Sequence, residues 1–188
     1  MPVNICILVE GIDDEQFLKA YIEHLSFDSK QFSVGNVGGK DNTDELRKEA
    51  ERAIDRNQVV LVIFDANSDL TGARENIAGA LQNLSYNHFL LPNDRSRGAL
   101  ENLLEEIINP EHQAIFDCFE EYEKCIDSKG YKAPSRKAKI YAYQWSNGLR
   151  KEERDHGNRH FDPNYWDFDN AALEPLKNFL SEHLARKP

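Results

Sequence analysis

The chain has 188 residues, 40% of them hydrophobic and 10% aromatic, enough to bury the core of one compact unit with a modest extension. Its 23 basic and 33 acidic residues leave a net charge of -10, which argues against sequence-independent adhesion to a polyanion, because such adhesion needs lysine and arginine to replace counterions. A nucleic-acid substrate held through divalent cations stays open, since bound cations reverse the sign of an acidic site.

No apolar run approaches the roughly 20 residues of a membrane span, and Met1 to Glu10 lacks the basic start and long apolar stretch of a signal peptide. No membrane partner is expected, and the cytoplasm is the expected location. Cys6, Cys118 and Cys125 are an odd number without CxxC spacing, so they read as free thiols rather than as a disulfide framework or a zinc site.

The apolar run Ile5 to Val9 ends in Glu10 and Gly11. Asp13 and Asp14 then open a segment with Phe17, Leu18, Tyr21, Ile22 and Leu25 at helical spacing, with Asp13 as the expected helix cap. Phe32 to Val37 reads as a second strand running into Gly38 and Gly39, and Asn42 and Thr43 as caps of a helix that carries Leu46, Ala50, Ala53 and Ile54. Val59 to Phe64 is wholly apolar, as expected of a central parallel strand covered on both faces, and Asp65 stands at its carboxyl end. A helix with Ile77, Leu81 and Leu84 leads to the strand His88 to Leu91, which Pro92 ends. Gly98 precedes a helix with Leu100, Leu103, Leu104, Ile107 and Ile108.

This alternation predicts an α/β fold, a Rossmann-like parallel sheet flanked by helices, with ligands at the carboxyl ends of the strands. The core is expected over about residues 1–109, and a mostly helical extension over about 110–188, packed on it as part of a single domain. In the extension, Ile115, Phe116, Phe119 and Tyr122 mark one helical face, Lys137 to Tyr143 is ambiguous between helix and strand, and Leu173, Leu176, Leu180 and Leu184 face inward from a last helix. Gly148 to Asp162 is the most polar segment and reads as an exposed loop. His156 and His160 within it are four apart, but Gly157 and Asn158 between them argue for a loop rather than a metal-binding helix. Trp145, Tyr165, Trp166 and Phe168 read as core or lid aromatics, with stacking on bases as the alternative. The absence of a Walker loop, of GxGxxG and of GxSxG disfavours P-loop hydrolysis and serine hydrolase chemistry.

Glu10 after one strand, a diglycine after the next and Asp65-Ala66-Asn67 after the third resemble the Toprim motifs of topoisomerases, bacterial primases and overcoming-lysogenization-defect nucleases. Over nearly the whole chain the resemblance is closer to the Toprim-like family DUF3226, carried by Val9 to Asp14, Val37 to Lys40, Phe64 to Asn67, Leu91 to Asp94, Gly98 to Leu104 and Trp166 to Asp169. It implies a Toprim-like domain with Mg²⁺ or Mn²⁺ as cofactor. Hard oxygen ligands suit such ions, and Glu10 and Asp65 supply carboxylates. The resemblance assigns acid/base or metal roles to Glu10 and a metal role to Asp65, makes Glu101 the match to a further glutamate of the nuclease branch, and makes Asp14 a weaker match to an additional acid. Gly38 and Gly39 would let the backbone approach a phosphate, with Lys40 nearby as a point charge. Lys137 or Lys139 matches the nuclease branch's downstream lysine by position, with Lys139 taken as the catalytic candidate.

The pattern Asp-x-Asp is broken here by Asn67, an amide that ligates without charge, for which Asp69 two residues on is a candidate replacement. Each residue also has a plainer explanation. Glu10, Asp65 and Glu101 are of the type that recurs near helix amino termini for capping or dipole reasons, and Lys40 is of the type that sits solvated in loops. Two functions follow: a Mg²⁺-dependent nuclease-like or phosphotransfer protein acting on DNA or RNA, or a non-catalytic module that binds a nucleotide or a protein partner. The ATPase segment that accompanies the overcoming-lysogenization-defect nucleases is not seen in this sequence, so any partner is expected to come from another chain.

Overall fold

The computed structural model describes residues 4–147, 161 and 163–184. Four strands, β1 (Ile5–Val9), β2 (Phe32–Asn36), β3 (Val59–Asp65) and β4 (Asn87–Leu91), form one parallel sheet in the order β2-β1-β3-β4. Side chains alternate across it. Ile5, Ile7, Val9, Leu61, Ile63, Phe89 and Leu91 belong to one core, and Leu8, Val60, Val62, Phe64 and Leu90 to the other. Helix α1 (Ile12–His24) covers the first face with Phe17, Leu18, Tyr21 and Ile22. Helices α2 (Thr43–Asp55) and α3 (Leu70–Ala80) cover the second with Leu46, Ala50, Ala53 and Ile77. Burial on both sides is why β3 is apolar throughout.

The strand order fixes where a ligand can enter. From β1 the chain steps to β2 on one side, and from β3 it steps to β4 on the other, with connecting helices on opposite faces as right-handed crossovers require. A crevice therefore opens between the carboxyl ends of β1 and β3, the position at which open α/β sheets bind ligands. Glu10 follows β1 directly, and Asp65 is the last residue of β3.

Local capping differs from expectation at the first helix. Gly11 is the N-cap of α1, and the Gly11 N–H donates to Asp14 Oδ2 at 3.0 Å, so Asp14 rather than Asp13 serves the first turn. Asp13 is paired instead with Lys137 at 3.1 Å. Asn42 is the N-cap of α2 as expected, although its side-chain amide donates to the Val37 carbonyl at 2.7 Å. Helix α4 (Leu100–Glu106) starts after Ala99.

Beyond Asn109 come a 3-10 turn (Pro110–His112), α5 (Gln113–Asp127), α6 (Arg136–Ser146), a second 3-10 turn (Ala171–Leu173) and α7 (Glu174–His183). The ambiguous stretch Lys137 to Tyr143 is helical, and Ser135 caps it by accepting from the Ala138 N–H at 3.3 Å. Phe116, Ile140, Tyr143, Phe161, Trp166, Leu176 and Leu180 join the same core as α1 and α4. Trp166 is fully buried, is bridged to Ile108 through the backbone, and meets the Tyr143 ring edge-on at 5.2 Å. Trp166 and Phe168 are thus core residues, whereas Trp145 is 54% exposed. Along the α5 stripe Phe116 is buried, while Tyr122 is exposed. Among the described residues no helix is long and apolar enough to cross a membrane. Apart from Phe161, the polar segment 148–162, including His156 and His160, lies outside the described residues.

Two outcomes follow from this shared core. A fragment ending at Asn109 leaves the α1 and α4 surface uncovered and is expected to lose its cooperative thermal transition, as followed by circular dichroism. Trp166→Ala is expected to cost about 3–5 kcal/mol in urea denaturation of the full chain.

Candidate functional site

Three elements meet at the crevice through backbone amides. The Asp65 N–H donates to Glu10 Oε1 at 3.2 Å, and Asp65 Oδ1 accepts from the Leu100 N–H at 2.9 Å, so the start of α4 is tied to the end of β3. Glu101 follows on the first turn of α4, and Asp14 comes from the first turn of α1. Glu10, Asp14, Asp65 and Glu101 line a cavity of about 450 Å³ together with Gly38, Gly39 and Lys137. A second cavity of about 180 Å³ shares Glu10 and Asp65. Lys40, Asp41, Asn67 and Asp69 stand around it, and Leu46, Phe64 and Ile77 give it apolar walls.

Burial and mutual repulsion make these acids weak. Burial, then the neighbouring Asp14 charge, pushes Glu10 up to about 7. Burial raises Asp14 to about 6 against the opposing amides of Gly11 and its own residue, with Glu101 adding repulsion. Asp65 is held well above the usual carboxylate range by burial and by Asp14, Glu10 and Glu101. The ammonium of Lys137 lies 3.1 Å from Asp13 and 4.0 Å from Glu101. Burial pulls its pKa down, but the hydrogen bond and charge of Asp13 leave it above the ordinary lysine value.

The diglycine has a backbone reason. Gly38 and Gly39 have φ of 80° and 121°, and the Gly39 N–H donates to the Glu10 carbonyl at 2.8 Å, which pins the loop after β2 to the end of β1. Asn67 also has positive φ, 52°. Its N–H donates to the Gly98 carbonyl at 2.6 Å, its carbonyl accepts from the Gly98 N–H at 2.8 Å, and Nδ2 approaches the Asp65 carbonyl at 3.4 Å. A carboxylate at position 67 has no proton to offer there.

Not every candidate reaches the crevice. Asp69 caps α3 by accepting from the Gly72 N–H at 3.1 Å and faces the smaller cavity, apart from Asp14 and Glu101. Lys139 is outside the lining of both cavities, 4.8 Å above the Phe116 ring and 3.7 and 3.6 Å from Glu105 and Glu120. Residues two apart on a helix point to nearly opposite sides, so it is Lys137 that enters the cavity. Asn36, at the carboxyl end of β2, also lines the larger cavity. The rule that selected Glu10 and Asp65, a polar residue closing a strand, applies to it equally. Among the described residues no group of three His, Cys, Asp or Glu side chains stands ready to hold a metal ion.

The raised carboxylates tie folding to pH. Each binds protons more tightly folded than unfolded, so its stabilising contribution is complete below the ordinary carboxylate value and is lost as pH rises through the folded value. For Glu10 that window runs from 4.5 to about 7, and for Asp65 it extends higher. Without divalent cations, stability in urea is expected to fall from pH 4.5 to 8. Asp65→Asn keeps the acceptor for Leu100 and is expected to flatten that slope and gain about 1–2 kcal/mol at pH 8.

No curated protein matches the chain. A family model described as "Protein of unknown function (DUF3226)" matches residues 4–185, almost from end to end, in agreement with the resemblance read from the motifs. The chain belongs to the DUF3226 family.

Proposed function

We propose that the protein binds Mg²⁺ or Mn²⁺ among Glu10, Asp14, Asp65 and Glu101 and carries out nuclease-like or phosphotransfer chemistry on a nucleic-acid phosphodiester. The observation that supports this most is the convergence of the four carboxylates with Gly38 and Gly39 on one cavity at the strand-order switch. The donor set fits the ion. Mg²⁺ is usually bound by one or two carboxylates, with water and phosphate oxygens completing its shell, so a cage of three protein ligands is not required. When bound, the cation would supply charge neutralisation at the phosphate.

The chain's own residues would do the rest. The loop Gly38-Gly39 admits a phosphate close to its backbone, and Lys40 adds a positive charge beside Glu10. Burial raises Glu10 in the metal-free site, and a bound cation would favour its carboxylate form, in which it would act as a ligand or accept a proton. Of the two candidates for the nuclease branch's downstream lysine, Lys137 would serve here, its ammonium lying 4.0 Å from Glu101. The alternative, a non-catalytic module that binds a nucleotide or a protein partner, draws support from the uncharged Asn67 and from the lack of a three-ligand group among the described residues.

Calorimetric titration with MnCl₂ at pH 7.5 is expected to show binding that Asp65→Ala abolishes and Glu10→Gln weakens at least tenfold. Nicking of supercoiled DNA should require the metal and vanish in both variants. Metal binding without cleavage of DNA or RNA selects the binding module, and absence of metal binding removes the enzymatic reading and leaves the module.

Asn67→Asp separates charge from geometry. Added charge beside Glu10 and Asp65 is expected to tighten Mn²⁺ several-fold, while the lost Nδ2 donor lowers the melting temperature slightly. Unchanged affinity would mean that position 67 serves the turn alone.

A further inference from the structure

The two edges of the sheet are finished differently. At β4 the outward backbone of Leu90 is occupied: its N–H donates to Asp94 Oδ1 at 3.1 Å, and its carbonyl accepts from the Asp94 N–H at 2.6 Å. Arg74 holds Asp94 in place at 3.2 Å. On the β2 edge only Asn36 is met, its side-chain amide donating to Glu15 at 2.5 Å and its backbone N–H to the same carboxylate, and the outward backbone groups of Phe32 and Val34 have no such cover among the described residues. Gln31 and Val37 bond inward, the Gln31 carbonyl accepting from the Ile5 N–H at 3.0 Å and the Val37 N–H donating to the Val9 carbonyl at 3.0 Å. The two-residue period of a strand then turns the backbone groups of Phe32, Val34 and Asn36 outward. Phe32-Ser33-Val34-Gly35-Asn36 contains neither a charge nor a proline, the usual devices that keep an edge from pairing.

This edge is complementary to itself. A two-fold axis through Val34 sets Val34 against Val34 of a second copy and Phe32 against its Asn36, so the outward N–H groups of Phe32 and Val34 meet the outward carbonyls of Asn36 and Val34 in antiparallel register. On the α1 face the groove beside Phe32 and Val34 is lined by Ile22, Phe27, Lys19 and Glu23. Lys19 and Glu23 are one helical turn apart, and the same two-fold reverses their order, which brings Lys19 of one copy toward Glu23 of the other.

We propose that β2 is a self-association edge, through which two copies of the chain join β2 to β2 antiparallel and extend the four-stranded sheet of each into one. The pairing leaves the crevice between β1 and β3 open. It also points the carboxyl ends of the two sheets in opposite directions, so the two carboxylate cavities work independently.

Sedimentation velocity of the full chain at about 1–100 μM is expected to show a dimer. Val34→Lys and Val34→Glu should each be monomeric, because like charges then meet across the two-fold, and an equimolar mixture of the two should recover the dimer. The α1 pair supplies a test away from the strand, begun at Glu23 because Lys19 also pairs with Glu15: Glu23→Lys should weaken association several-fold, and Glu23→Lys combined with Lys19→Glu should restore it. A wild-type chain that stays monomeric at the highest concentration overturns the proposal. So does a dimer indifferent to both sets of changes.

Discussion

The Asp65 carboxylate accepts the first amide of α4 while the Asp65 amide donates to Glu10, and these two contacts join the ends of β1 and β3 to the helix that carries Glu101. Moving Asp65 would shift more than one acid. Leu100, Leu103 and Leu104 on α4 enter the core shared by α1 and the C-terminal helices, so the position of the carboxylate cluster and the packing of that face are set together. The placement follows from the winding of the chain, because the connection leaving β1 turns to one face of the sheet and the connection leaving β3 turns to the other, so they part at the carboxyl ends of these two strands.

Buried acids work against folding, and Glu10, Asp14 and Asp65 are raised first by burial and then by one another's charge. Apolar burial elsewhere has to offset that cost. The aromatic layer formed by Phe17, Tyr21, Tyr143, Phe161, Trp166 and Phe168 lies on the α1 face, and part of it is drawn from the C-terminal region. The extension therefore does more than lengthen the fold. By closing the face that α1 and α4 leave open, it supplies the stability against which the acidic crevice is held, and through α6 it brings Lys137 to the crevice.

Strand ends were legible in the sequence because their chemistry is local. An apolar run closed by Glu10 or Asp65 needs no knowledge of the rest of the chain to be read, and the diglycine announces its own backbone geometry. Side-chain direction on α6 was not legible. Lys137 and Lys139 are distinguished by which face of α6 meets α4 and α5, and nothing near Lys137 in sequence specifies that face. The capping of α1 was missed for a related reason, since Asp13 and Asp14 are equally good first-turn acids until Lys137, contributed from 124 residues downstream, claims the first. The α5 stripe misled in the opposite sense. Helical spacing put Tyr122 on one face with Phe116, but of the two only Phe116 is buried.

Asn67 shows how backbone geometry sets the charge of the crevice. The residue is held at positive φ by paired hydrogen bonds with Gly98, which keep the turn after β3 against the approach to α4. Its side-chain amide points a donor at the Asp65 carbonyl, where a carboxylate would present oxygen to oxygen. An acid at this position would have to turn toward Lys40 and the smaller cavity instead. The third strand end thus contributes one acid rather than two, and the remaining negative charge comes from Asp14 and Glu101, on the first turns of α1 and α4. Helix starts are favourable places for such charge, because their free amides and dipoles offset part of the repulsion. A cluster that two strand ends alone could not hold is spread in this way over four elements, each of which also packs the core.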